Sequence, residues 1–130
     1  MPNVAFYRVV TDATVIRFPG EGSTATTQDV TFNTTNDIVL NESESRPILG
    51  FLMDPSENSK VKLEIFIRDL SGADRKITTW NLSGGASRYT MEPIKPEWVR
   101  KGDNKIIFKA DVDQGSVEIK NIIVFFQRNV

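Results

Sequence analysis

Apolar and polar residues alternate with a period of two along most of this chain. In KVKLEIFIRD, residues 60–69, Val61, Leu63, Ile65 and Ile67 fall on one side, while Lys60, Lys62, Glu64, Phe66 and Arg68 fall on the other. A helix would scatter those apolar residues around its circumference, whereas a strand gathers them on one face of a sheet. The same logic predicts strands near 4–10, 13–18, 28–33, 36–40, 47–53, 75–82, 87–92, 104–110 and 116–127. Turn chemistry separates them: PGEGS, DPSENS, LSGAD, SGGAS and DVDQG. No twelve-residue window carries a helical stripe. Many short strands at regular spacing predict an all-β antiparallel sandwich or barrel, of about nine strands.

Two segments depart from simple alternation. In NIIVFF, 121–126, both faces turn apolar, which predicts a central strand. One of its faces is expected on the core and the other under a loop, a terminus or a second subunit. PEWVRKGDN, 96–104, reads as a short helical turn near 96–101. Pro96 suits its start, and Glu97 and Lys101 suit its positive and negative ends. Gly102 supplies the left-handed residue expected to stop it. NKIIFKA then enters a sheet, and DVDQG is expected to turn the chain so that 116–127 pairs back as a hairpin.

The segments KVKLEIFIRD, GDNKIIFKA and GSVEIKNIIVFF together resemble the galactose-binding-domain-like jelly rolls, over residues 60–127. Such domains are widespread as carbohydrate-binding modules and as ancillary domains of glycosidases. The resemblance implies a single jelly-roll domain over 1–130, with an antiparallel β-sandwich fold. It implies a non-catalytic binding module for a carbohydrate or another polyhydroxylated ligand.

At 130 residues the chain matches one domain and can bury roughly 65–70% of its unfolded surface. It has no cysteine and no histidine. That removes the thiol nucleophile, the commonest general base and the usual zinc and copper ligands. No enzyme is expected, and a serine triad lacks its histidine. Sixteen basic and seventeen acidic residues are interspersed, leaving net charge −1 and no basic stripe for nucleic acid. The longest apolar run, 122–126, is far short of a membrane span. The start MPNVAFYRVV lacks the regions of a signal peptide, so the chain as written is expected to be soluble and cytoplasmic, unless cut from a longer protein. The sequons at Asn33, Asn41 and Asn81 carry no weight without secretion.

Candidate chemistry is aromatic and polar. Trp80 shares a side of RKITTWNL with Lys76, Thr78 and Leu82, so neither side is cleanly apolar. It reads either as core or as a flat platform for a sugar ring. Phe66, on the polar side of its strand between Glu64 and Arg68, reads as a cross-strand pair, a ligand platform or a subunit interface. Arg88 and Tyr89 follow the SGGAS loop and suit a hydroxyl-rich ligand or an ordinary strand edge. Trp98 is expected to plug one end of the sandwich. The binding reading thus rests on stacking at Phe66, Trp80 or Tyr89, with hydrogen bonds from Arg68, Asn81 and Arg88. Asp111 and Asp113 lack the remaining ligands of a calcium loop and read as a turn. No cofactor is indicated, although calcium held by backbone carbonyls would leave no trace in a sequence. Glu42 and Glu44 share one side of a loop with nothing to set them around a substrate. The alternative function is a structural or assembly subunit, a homo-oligomer through Phe66 or the 122–126 strand.

Overall fold

A computed structural model describes residues 3–9, 15–19, 26–34, 38 and 46–129, with the backbone alone for 3–9 and 129. Nine strands form two antiparallel sheets. The first contains β1 (Asn3–Val9), β2 (Ile16–Phe18), β4 (Ile48–Pro55), β7 (Arg88–Pro93) and β9 (Val117–Asn129). β9 pairs with β1 and β2 on one edge and with β4 on the other, and β7 closes the far side. The second sheet has the order β3 (Thr27–Asn33), β8 (Asp103–Gln114), β5 (Lys60–Arg68), β6 (Asp74–Ser83). From β2 onward the chain changes sheet at every connection except β5 to β6, which is the jelly-roll manner of winding. The segment 36–40 contributes one isolated bridge, Ile38 to Arg128; its other residues, like Asn41, Glu42 and Glu44, lie outside the described ones.

The core lies between the sheets. Val61, Leu63, Ile65 and Ile67 face it from β5, Ile106, Phe108 and Ala110 from β8, and Leu49, Phe51 and Met53 from β4. The rings of Phe51 and Phe108 meet edge to face across the interior, with centroids 5.5 Å apart. β9 supplies Val117 and Ile119, then Ile122, Val124 and Phe126. The change of parity is a one-residue bulge. Gly50 pairs with Ile123 but Leu52 pairs with Lys120, and Asn121 sits at φ 52° in the left-handed region that asparagine tolerates. Both faces of NIIVFF are apolar because this strand is central and covers the core on one side, while Ile123 and Phe125 remain half-buried on the other.

Two expectations fail here. Strands 103–114 and 117–129 do not form a hairpin: β8 pairs with β3 and β5, and β9 with β1, β2 and β4. Both strands have strongly apolar inner faces, and these are buried by facing each other across the core rather than by lying side by side. The connection crosses between the sheets at Gly115, where φ is +78° and a Cβ would stand 2.7 Å from Ser56 Oγ and 2.9 Å from Ser59 Cα. The helical turn is also shorter than expected. It is a 3₁₀ turn over Pro96–Trp98, and Val99 is already extended. Gly102, at φ +108°, instead shapes the entry into β8. Trp98 packs partly buried against the core, with Lys95 Nζ 5.2 Å from its ring centre.

The β5–β6 hairpin is organised by Asp69, which is only 6% exposed. Its Oδ1 accepts from Ser71 N and Oγ and from Ala73 N, and its Oδ2 accepts from Arg75 Nε at 2.7 Å. The Ser71 hydroxyl and the Arg75 guanidinium hold this carboxyl far below the usual aspartate range. A depressed pKa adds stability that is complete above the unfolded value near 4 and is lost as pH falls below it. Thermal unfolding followed between neutral pH and pH 2 is therefore expected to show a falling Tm below about pH 4. Asp69→Asn is expected to have a lower Tm at pH 7 and a shallower decline in that acid window. An unchanged acid slope in the variant would remove Asp69 from this role.

Candidate functional site

Residues directly opposite one another in an antiparallel pair share a face, so the strand registers give the outer surface of each sheet. On the β3-β8-β5-β6 sheet, one row across the strands reads Asp29, Ile107, Phe66, Lys76. The next row toward the start of β8 holds Thr31 and Lys105, with Arg68 and Asp74 paired beyond them. In the other direction come Thr27, Lys109, Glu64 and Thr79, then Asp111, Lys62 and Asn81. Two apolar side chains, Phe66 and Ile107, thus sit side by side amid hydrogen-bonding groups. Ile107 is almost covered by its neighbours and backs the half-buried Phe66. Lys76 lies over the Phe66 ring, 5.9 Å from the centre, while pairing with Glu64 at 2.8 Å. That ion pair lowers the Glu64 pKa. The hydrogen bond from Arg68 Nε to Asp74, 3.0 Å, raises that of Arg68.

Shallow cavities lie at both ends of this face. One, of about 280 Å³, is lined by Thr31, Arg68, Arg100, Asp103, Asn104 and Lys105. The other, of about 260 Å³, is lined by Lys60, Lys62, Asn81, Asp111 and Asp113 among others. Arg100 is held by its backbone. Its N–H donates to Asn104 Oδ1 at 2.8 Å, and its carbonyl accepts from Thr34 Oγ1 and Asn104 Nδ2 at 2.9 and 3.0 Å.

The outer face of the first sheet has the opposite character. Ile48, Leu52, Ile123 and Phe125 are half-buried there, and Tyr89 and Met91 stand 48% and 52% exposed. The phenol of Tyr89 lies across Gly50, where a Cβ would come within 2.6 Å of its hydroxyl. Burial pushes the pKa of that phenol up. Polar groups gather at one end, where Asp54 accepts from Ser87 Oγ at 2.7 Å and from Lys120 Nζ at 3.2 Å.

The six residues singled out in the sequence are therefore distributed over four environments. Phe66, Arg68 and Asn81 share the outer face of the β3-β8-β5-β6 sheet. Tyr89 lies on the opposite outer surface of the molecule, and Arg88 is exposed at the start of β7 opposite the core residue Met53. Trp80 turns inward beside Leu63, packs against the core, and donates through Nε1 to Glu92 at 3.1 Å. Sequence reasoning does not single out Lys105, Ile107, Lys109 or Arg100. The alternation of KIIFKA separates Lys105, Ile107 and Lys109 from the core residues, but only the pairing of β8 with β5 brings Ile107 to Phe66. Arg100 carries no periodic signal. Among the described residues no group of three or more acidic side chains could hold a metal ion, and no helix is long and apolar enough to cross a membrane.

No protein-family model matches the chain, and no curated protein matches it in sequence. Its similarity is to solved structures. The xylan-binding module CBM15 aligns with 96% of this chain and 97% of its own length, at 13% identity and a TM-score of 0.57. The C-terminal family 22 carbohydrate binding module of Clostridium thermocellum Xyn10B aligns with 95% of this chain and 80% of its own, at 13% identity and a TM-score of 0.52. Dimeric latent PorU from Porphyromonas gingivalis aligns with 98% of this chain at 13% identity and a TM-score of 0.57, but the chain spans only 13% of its length. At such identity the likeness concerns the fold: this chain is a β-jelly roll of the kind that carbohydrate-binding modules adopt.

Proposed function

We propose that this domain is a non-catalytic glycan-binding module whose ligand lies along the outer face of the β3-β8-β5-β6 sheet. The observation that carries this reading is the Phe66 ring, backed by Ile107 and placed centrally among side chains that donate and accept hydrogen bonds. A sugar ring offers an apolar C–H face and a rim of hydroxyls. The ring of Phe66 suits the former, and Arg68, Lys105, Lys109, Glu64 and Asn81 suit the latter. The strands fix these groups before any ligand arrives, which reduces the entropy lost on binding. The folds of CBM15 and the Xyn10B module support the class of ligand. Isothermal titration against a panel of plant and microbial oligosaccharides tests the proposal. At least one is expected to bind, and Phe66→Ala is expected to weaken it by about tenfold or more, with the fold retained by circular dichroism. Tyr89→Ala is expected to leave that affinity unchanged. Binding indifferent to Phe66 but lost with Tyr89 would move the site to the opposite surface.

A second reading, self-association, is favoured by the other outer face. Met91 and Tyr89 project from a surface completed by Ile48, Leu52, Ile123 and Phe125, and apolar faces of this kind mark interaction sites. The occupant we favour is a second copy of the chain. Size-exclusion chromatography with light scattering is expected to give a dimer that Met91→Asp converts to monomer. A strict monomer across the accessible concentration range would dismiss this reading.

A further inference from the structure

We propose that the cavity where β5 ends and β8 begins is a carboxylate subsite, and that the glycan is an acidic one built with uronic acids; this rests on the glycan reading given above. Three cationic side chains, Arg68, Arg100 and Lys105, line that cavity, together with one acid, Asp103. Asp103 is already engaged, accepting from Asn33 Nδ2 at 2.7 Å.

Acids already face two of these three cations, and Arg100 is the one left without a carboxylate among the described residues. Asp74 engages Arg68 through Nε. Asp29 forms a looser ion pair with Lys105, 3.9 Å from its Nζ. Asp69 is committed to Arg75. Arg100 has no carboxylate partner among the described residues. Its terminal nitrogen donates to the Asp69 backbone carbonyl, and its Nε is buried with no hydrogen-bond partner at all. A buried donor left unmatched is costly, and native structures keep few of them. With its backbone fixed and no described carboxylate partner, the Arg100 guanidinium is the cation in this cavity that an incoming anion would pair with.

A guanidinium can hold a carboxylate through two parallel hydrogen bonds, and a uronic acid carries that group on the sugar ring itself. Placement agrees with the glycan reading. Arg68 lies two positions along β5 from Phe66, about 7 Å at the rise of a strand. A ring stacked at Phe66 can therefore direct a charged substituent, its own or its neighbour's, into the cavity. At about 280 Å³ the cavity lies at the small end of ligand pockets and suits one sugar substituent rather than an oligomer.

The test is titration calorimetry of the intact chain with tetragalacturonate, a glucuronoxylan oligosaccharide and a hyaluronan tetrasaccharide. Each is measured beside its carboxyl-reduced counterpart, with a sulfated neutral tetrasaccharide included, at low and high salt. At least one uronate is expected to bind about tenfold or more tightly than its reduced form, with an advantage that shrinks as salt rises. Arg100→Gln and Lys105→Gln are each expected to reduce that advantage, and Arg100→Gln to leave affinity for the reduced form intact. Lys105 lies on the outer face, so its variant keeps the test sound if Arg100→Gln fails to fold. Equal affinity for acidic and reduced sugars, with both sensitive to Phe66→Ala, would overturn the acidic subsite and leave the glycan reading standing. A preference for the sulfated sugar over every uronate would also overturn it. Binding of none of these sugars, or of any in the wider oligosaccharide panel, would overturn both.

Discussion

The structure depends on the inner face of β9 staying buried along its whole length. Three strands take their register from it: β1, β2 and β4. A one-residue slip in a strand turns every following side chain to the other face. Here the slip is built in and absorbed. Asn121 takes the left-handed conformation, so Val117 and Ile119 on one side and Ile122, Val124 and Phe126 on the other all reach the core. Without the bulge, half of the strand would present its core residues to the outside. The second sheet meets this surface with the regular faces of β5 and β8, and the edge-to-face contact of Phe51 and Phe108 locks the layers together.

Once the inner faces are fixed, the outer ones follow, and they diverge in chemistry. The β3-β8-β5-β6 sheet turns out a lattice of charges around Phe66 and Ile107. The other sheet turns out Leu52, Ile123, Phe125, Tyr89 and Met91. One surface offers the mixture of apolar platform and hydrogen-bonding rim that suits a hydroxylated ligand, and the other offers area suited to a protein partner. Both are made of strands with fixed registers, so neither requires a loop to order before a ligand can bind.

Much of this architecture is legible in the sequence, because a strand with one buried face writes its period directly. KVKLEIFIRD is the clearest case, with all four of its aliphatic core residues buried. The illegible parts share a cause. In β6 the register jumps between Ile65↔Thr78 and Phe66↔Lys76, leaving Ile77 as an extra residue. That bulge turns Lys76 outward while Thr78, Trp80 and Leu82 stay inward, so strict alternation leaves the direction of Trp80 open. The β8–β9 connection resembles a hairpin turn because turn residues reveal a reversal of direction but not whether the chain changes sheet. The site is half legible. Phe66, Arg68 and Asn81 stand out on their own strands, whereas their neighbours Ile107 and Lys105 are set by strand order, and Arg100 is placed by hydrogen bonds that its carbonyl accepts from Thr34 and Asn104.

The two outer surfaces compete for one role: the glycan is proposed to settle on the polar lattice around Phe66 and not on the apolar area around Tyr89. Residue-resolved NMR separates them, by following amide and side-chain methyl shifts as a binding oligosaccharide is added. The shifts are expected to cluster on Arg68, Phe66, Lys105 and Ile107 and to spread across β3, β8, β5 and β6, while Leu52, Met91 and Ile123 remain still. A cluster centred on Tyr89, Met91 and Ile123, with β5 and β8 unmoved, would put the ligand on the other sheet and refute the proposal.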